Sequence, residues 1–117
     1  MDLREEWIRK MTESREELGR VNLALLAASE KFEDANDGLK DAESELLMEV
    51  DDSGKPFIKG SSQDKRAGEL RWHTEGRREK MKKAKRELNA MKVEYENCRE
   101  KMLECRAIVR LMSRDDD

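Results

Sequence analysis

The sequence predicts an all-α fold in which two long antiparallel helices form a helical hairpin, or coiled coil, with a short central loop or β-hairpin. Three observations carry that expectation. Two stretches each keep apolar residues at alternating steps of three and four, the spacing of a coiled-coil seam. The segment between them holds the only proline and a glycine-containing turn signal. The composition is 45% charged and 4% aromatic, which suits long solvated helices and not a thick globular core. At 117 residues the chain reads as a single domain, 1–117.

The first helix is expected over about 2–49. Its seam runs Met11, Ser14, Leu18, Val21, Leu25, Ala28, Phe32, Ala35, Leu39, Ala42, Leu46, and it extends back through Trp7 with Ile8 and Leu3 beside it. A strand would repeat every two residues, and a disordered chain would hold no register. One seam position is large (Met11, Leu18, Leu25, Phe32, Leu39, Leu46) and the other is small (Ser14, Val21, Ala28, Ala35, Ala42). That alternation lets helices approach closely and interdigitate.

The connector is expected over about 50–61. Asp51, Asp52, Ser53 and Gly54 make a turn signal, because glycine tolerates positive φ and aspartate bonds to local backbone. Val50 before the turn and Phe57 and Ile58 after it either pair as a short β-hairpin or form a loop pinned by Phe57 onto the helix ends. So short a connector cannot run back along a helix of ~70 Å, so the helices are antiparallel or splayed.

The second helix is expected over about 62–113, with an acidic tail at 114–117. Its seam runs Ala67, Leu70, Thr74, Arg77, Met81, Ala84, Leu88, Met91, Tyr95, Cys98, Met102, Cys105, Val109, Met112. Thr74 and Arg77 interrupt it, so its start is its weakest part. Ser61 and Ser62 are candidate N-caps, and Ser61 with Asp64 fits a capping-box variant.

Charge supports the antiparallel arrangement. Residues 30–52 carry ten acids against two lysines, and residues 77–86 carry seven bases and one acid. A turn near residue 57 sets the basic run beside Glu30, Glu33, Asp34 and Asp37, and such flanking charges select partner and orientation. The net charge of -3 argues against a dedicated nucleic-acid or membrane binder. No stretch approaches the ~20 apolar residues of a membrane span. The charged N-terminus carries no signal core, so secretion is not expected.

Several apolar residues fall off the seams: Leu23 and Leu26 on the first helix, Val93 on the second, and Trp7 and Ile8 toward one end with Leu103, Ile108 and Leu111 toward the other terminus. Such a second stripe calls for a partner. The expectation is a homodimer forming a four-helix bundle, or a larger assembly, that also binds another protein.

Chemistry-bearing motifs are sparse. Cys98 and Cys105 share a seam position ~10 Å apart along a helix, beyond the ~7 Å reach of a disulfide, and read as buried, reduced thiols of a cytoplasmic protein. His73 is the sole histidine and reads as a surface or packing residue. Arg77, Arg78, Lys80, Lys82, Lys83, Lys85 and Arg86 are candidate phosphate contacts, but no aromatic residue interleaves with them for base stacking. DDSGKPFIKG lacks the alternating ligands of a calcium loop. No phosphate loop, dinucleotide fingerprint or nucleophile motif occurs. Neither an enzyme nor a cofactor or metal site is expected. The methionines read mainly as seam packing, with a Met-rich partner surface as the other reading.

The stretch VDDSGKPFIKGSSQDKRAGELR, residues 50–71, and the helix–connector–helix layout of the whole chain resemble small phage-encoded helical-hairpin proteins of unknown role. The resemblance implies a phage or prophage protein made inside a bacterial cell, serving DNA metabolism or blocking a host defence protein, and it carries over no functional residue. The layout also resembles a prefoldin β subunit, but residues 50–61 are too few for that family's barrel-forming strands.

The expected function is therefore a non-enzymatic, self-associating protein-interaction module. The alternatives are a phage factor acting on DNA through the basic run, an inhibitor presenting the acidic 30–52 face to a host nuclease or defence protein, and a prefoldin-like chaperone.

Overall fold

The computed structural model describes residues 2–115. Those residues form three α-helices and no strand: α1 Leu3–Met48, α2 Gln63–His73 and α3 Glu75–Asp115. The two long helices pack together within two compact units. One combines Met1–Ala28 with Glu87–Asp117, and the other is Ser29–Arg86. Of the expected acidic tail, Asp116 and Asp117 lie outside the described residues, and α3 runs on to Asp115.

α1 begins at a cap that the heptad pattern does not reveal. The Asp2 carboxylate accepts the Glu5 backbone N–H at 2.8 Å. Glu5 and Glu6 in the first turn complement the positive end of the helix dipole.

In the terminal unit, Ser14 Oγ faces Cys105 Sγ at 3.9 Å, and Glu17 accepts from the Cys98 thiol at 3.7 Å. Residue numbers rise on α1 as they fall on α3, so the segments are antiparallel. The contact line belongs mostly to small side chains. Ser14, Val21, Cys98 and Cys105 are buried, together with Leu88. The large seam residues Met11, Leu18, Leu25, Met91, Tyr95 and Met102 are only half-buried. Two cylinders touch along one line, and a long side chain starting there reaches the edge of the contact before it is covered.

The central unit buries Ala35, Leu39, Ile58, Thr74 and Ala84. Its connector is a loop. The β-hairpin reduces to one antiparallel bridge, Val50 to Pro56, flanked by the Phe57 N–H donating to the Glu49 carbonyl at 2.9 Å. Pro56 has no N–H, so a ladder cannot continue through it. The turn closes with Asp51 N–H to Lys55 carbonyl at 2.7 Å, and Gly54 adopts a φ of 80° that other residues rarely reach. Ile58 is the buried anchor, while Phe57 is half-buried with its ring 5.0 Å from that of His73. The pinning expected of Phe57 is thus shared.

The continuous helix expected over 62–113 is two helices. Ser62 is the N-cap, its hydroxyl accepting from the Lys65 N–H at 3.2 Å. Ser61 does not close a capping box; its hydroxyl accepts from the Lys65 ammonium at 3.4 Å. α2 buries no residue, and Ala67, assigned to the seam, is exposed. The break falls at Thr74, where φ is -112° and ψ 16°. The Thr74 hydroxyl donates to the Leu70 carbonyl at 2.6 Å and accepts from Arg78 Nε at 3.2 Å. A threonine bonding back to the fourth preceding carbonyl competes with the helix ladder and bends it. Arg77, also given to the seam, is exposed and donates to the Gly38 carbonyl at 3.4 Å.

Gly60 is required by close approach. A Cβ there would lie 2.6 Å from the Arg66 nitrogen and 2.8 Å from the Lys65 carbonyl carbon, both backbone atoms. Gly60→Ala is therefore expected to cost about 1–3 kcal/mol. Gly19→Ala, in the open interior of α1 with nothing within 4 Å, is expected to gain about 0.5–1 kcal/mol. Urea denaturation followed by circular dichroism reads both, and the two changes should have opposite signs.

Candidate functional site

Three sets of side chains are candidates: the off-seam apolar residues of the terminal unit, the thiols beside them, and the charged and aromatic residues of the central unit.

The off-seam residues sort by exposure. Leu23 is 68% exposed, Val93 62%, Leu111 59% and Leu26 54%. Ile8 and Leu103 are exposed to a smaller degree, and Leu3 belongs with the exposed set. Ile108 is half-buried. Trp7 is also half-buried, and it serves the hairpin itself. It lines an open recess with Ser14, Glu17, Lys101 and Cys105, under the Lys10 ammonium 4.4 Å from its ring.

Both cysteines are free and buried. Burial, then the neighbouring Glu17 carboxylate, pushes the Cys98 thiol above its ordinary value. Among the described residues, no buried side-chain nitrogen or oxygen lacks a hydrogen-bond partner, and no group of three or more His, Cys, Asp or Glu is placed to hold a metal ion.

In the central unit, the basic run does not pair with Glu30, Glu33, Asp34 and Asp37 as charge counting suggests. Among the described residues, its inter-helix ion pair is Arg78 with Glu43, both side chains 28% exposed. The hydrogen bond that Arg78 Nε donates to the Thr74 hydroxyl holds the guanidinium in that direction. Lys82 meets Glu79 one turn away at 3.6 Å. Lys80, Lys83, Lys85 and Arg86 are exposed. Trp72 is 74% exposed, its ring edge-on to His73 at 4.9 Å. It shares an open recess of about 530 Å³ with Arg71, Arg78 and Lys82, among others. Sequence spacing hid this aromatic residue, because it precedes the basic run and lies across the Thr74 break from it.

The connector holds the strongest local electrostatics. Asp51 Oδ2 meets the Lys59 ammonium at 2.7 Å, and Oδ1 accepts from the Ser53 hydroxyl, the Ser53 N–H and the Lys55 N–H at 2.6, 2.9 and 3.0 Å. Lys59 first, then these donors, hold the Asp51 carboxyl well below the ordinary 3.8. Asp51 closes the turn and leaves no free carboxylate oxygen for chemistry.

No protein family, curated protein or solved structure matches this chain. No helix of the described residues is long and apolar enough to cross a membrane.

Two pH-dependent outcomes follow. Because the folded Asp51 value lies below the unfolded one, its contribution is complete above about pH 4 and is lost as pH falls through the lowered value. Carboxyl-carbon NMR is expected to show Asp51 titrating well below 3.8, with Asp51→Asn loosening the turn at neutral pH. For Cys98, Glu17→Gln removes the charge while keeping an acceptor oxygen, so alkylation by iodoacetamide at mildly alkaline pH is expected to speed up severalfold. An unchanged rate would leave burial as the sole shield.

Proposed function

We propose that the protein is a non-enzymatic interaction module that self-associates through its terminal unit. The observation that carries this reading is the exposure of Leu23, Leu26, Val93, Leu103 and Leu111 in a unit whose two helices already pack on each other. Large apolar side chains on two adjacent helices, outside the contact those helices make, gain most from a second pair of helices. A second copy supplies an identical set, and an isologous pairing matches each patch with itself. The half-burial of Met91, Tyr95 and Met102 adds to the same demand, since a partner would cover the edges that one helix pair leaves open. The helix–connector–helix layout fits the phage-protein resemblance, which would place the module in the cytoplasm of a bacterial host; action on DNA or on a host defence protein is then its route to effect.

The test is solution mass by light scattering. The wild-type chain is expected to be a discrete dimer or tetramer. The triple variant Leu23→Glu, Val93→Glu, Leu111→Asp is expected to be a monomer with unchanged helix content, because those side chains contribute little to the fold of one chain. Ile108→Asp is a poorer probe, since Ile108 is half-buried and its loss disturbs the hairpin. A wild-type monomer, or a triple variant of unchanged mass, overturns the proposal.

A further inference from the structure

The central unit carries an exposed tryptophan in a setting that the self-association reading does not use. Trp72 is 74% exposed, yet it is steadied: its ring meets His73, and His73 meets Phe57. An indole held by its neighbours and open to solvent loses little freedom when something stacks on it. The recess beside it spans the Thr74 break, so Arg71 and Trp72 of α2 share it with Glu75, Glu79 and Lys82 of α3. The helical period carries the same face one turn further, to Lys85 and Arg86, both exposed. Lys80 and Lys83 fall on other faces, and Arg78 is committed to Glu43.

We propose that Trp72, with Arg71, Lys82, Lys85 and Arg86, forms a contact site for single-stranded nucleic acid. The chemistry of that ligand matches the face: a base stacks on the indole while phosphates meet the flanking cations. Arg71, Lys85 and Arg86 make no ion pair with another described residue. Lys82 is held only by an exposed pair with Glu79, which costs little to release. A membrane surface would require an apolar face around the indole, and the recess is lined by charges and Gly68. A duplex offers no unstacked base, and Glu75 and Glu79 within the stripe oppose a broad run of phosphates.

The experiment uses the full chain carrying Trp7→Phe, so that Trp72 is the only indole, titrated with a thymidine oligonucleotide at about 50 mM salt. Saturable quenching of Trp72 fluorescence is expected, with affinity falling as salt rises at a log–log slope of about -2 to -3, the value for three or four phosphates neutralised on a single strand. In the same Trp7→Phe chain, read by fluorescence anisotropy of a labelled oligonucleotide, Trp72→Ala is expected to weaken binding about tenfold or more, Trp72→Phe to restore most of it, and Lys82→Gln with Arg86→Gln to flatten the salt slope. Absence of quenching at low salt, equal affinity for duplex DNA, equal quenching by a polyglutamate chain, or full affinity in Trp72→Ala with helix content intact would each overturn the proposal. The monomeric triple variant of the terminal unit is expected to bind unchanged, which separates this site from the self-association reading.

Discussion

Everything in this protein depends on how little two helices can hide. A pair of α-helices shares one line of contact, and this chain fills that line mostly with serine, alanine, valine and cysteine, with Leu39 and Leu88 as the leucines that reach it. Small residues bring the backbones close, but they leave most leucines and methionines of the alternate position at the rim. The apolar area removed from water is modest, and each kilocalorie per mole of packing has to come from fit along the line and not from bulk. The polar Ser14 is tolerated there because a thiol sits opposite it, and neither group faces hydrocarbon alone.

Where packing is thin, directed polar contacts set the details. The central unit is organised by Asp51, whose carboxylate ties Ser53 and Lys55 of its own turn and Lys59, and by Thr74, which bends the helix path while aiming Arg78 at Glu43. Both are short polar side chains bonding to nearby backbone, the same tendency that makes aspartate and threonine poor mid-helix residues. Asp51 uses it to close a turn; Thr74 uses it to place a bend inside what the heptad pattern reads as one helix. The bend matters for the central unit because it sets where α2, which buries nothing, presents its side chains.

The seams were legible because periodicity is a long, redundant signal. Every seam position from Met11 to Leu46 is buried or half-buried, as is every one from Met81 to Met112. The start of the second seam was not, because Ala67 and Arg77 have the right spacing without the packing, and spacing alone cannot tell whether a partner helix is near. The hairpin was legible as a turn but not as a loop, since a single proline decides whether a ladder continues. Charge counting located opposite runs but not their pairs: the reach of an arginine and the pull of a threonine chose Glu43 over Glu30, Glu33, Asp34 and Asp37. The aromatic residue of the basic face was missed because adjacency across a bend leaves no periodic trace.

The placement of sulfur along the seam has a chemical consequence. The thiols lie on the contact line, shielded by burial, while the thioethers of Met11, Met81, Met91, Met102 and Met112 stand at its rim, half-open to water. An oxidant diffusing up to the chain therefore meets methionine before cysteine. Each sulfoxide formed puts a polar, chiral group where a flexible apolar one had leaned across the seam, and it does so without any covalent cross-link. Oxidation of this kind loosens the helix pair gradually, and it is chemically reversible by sulfoxide reductases.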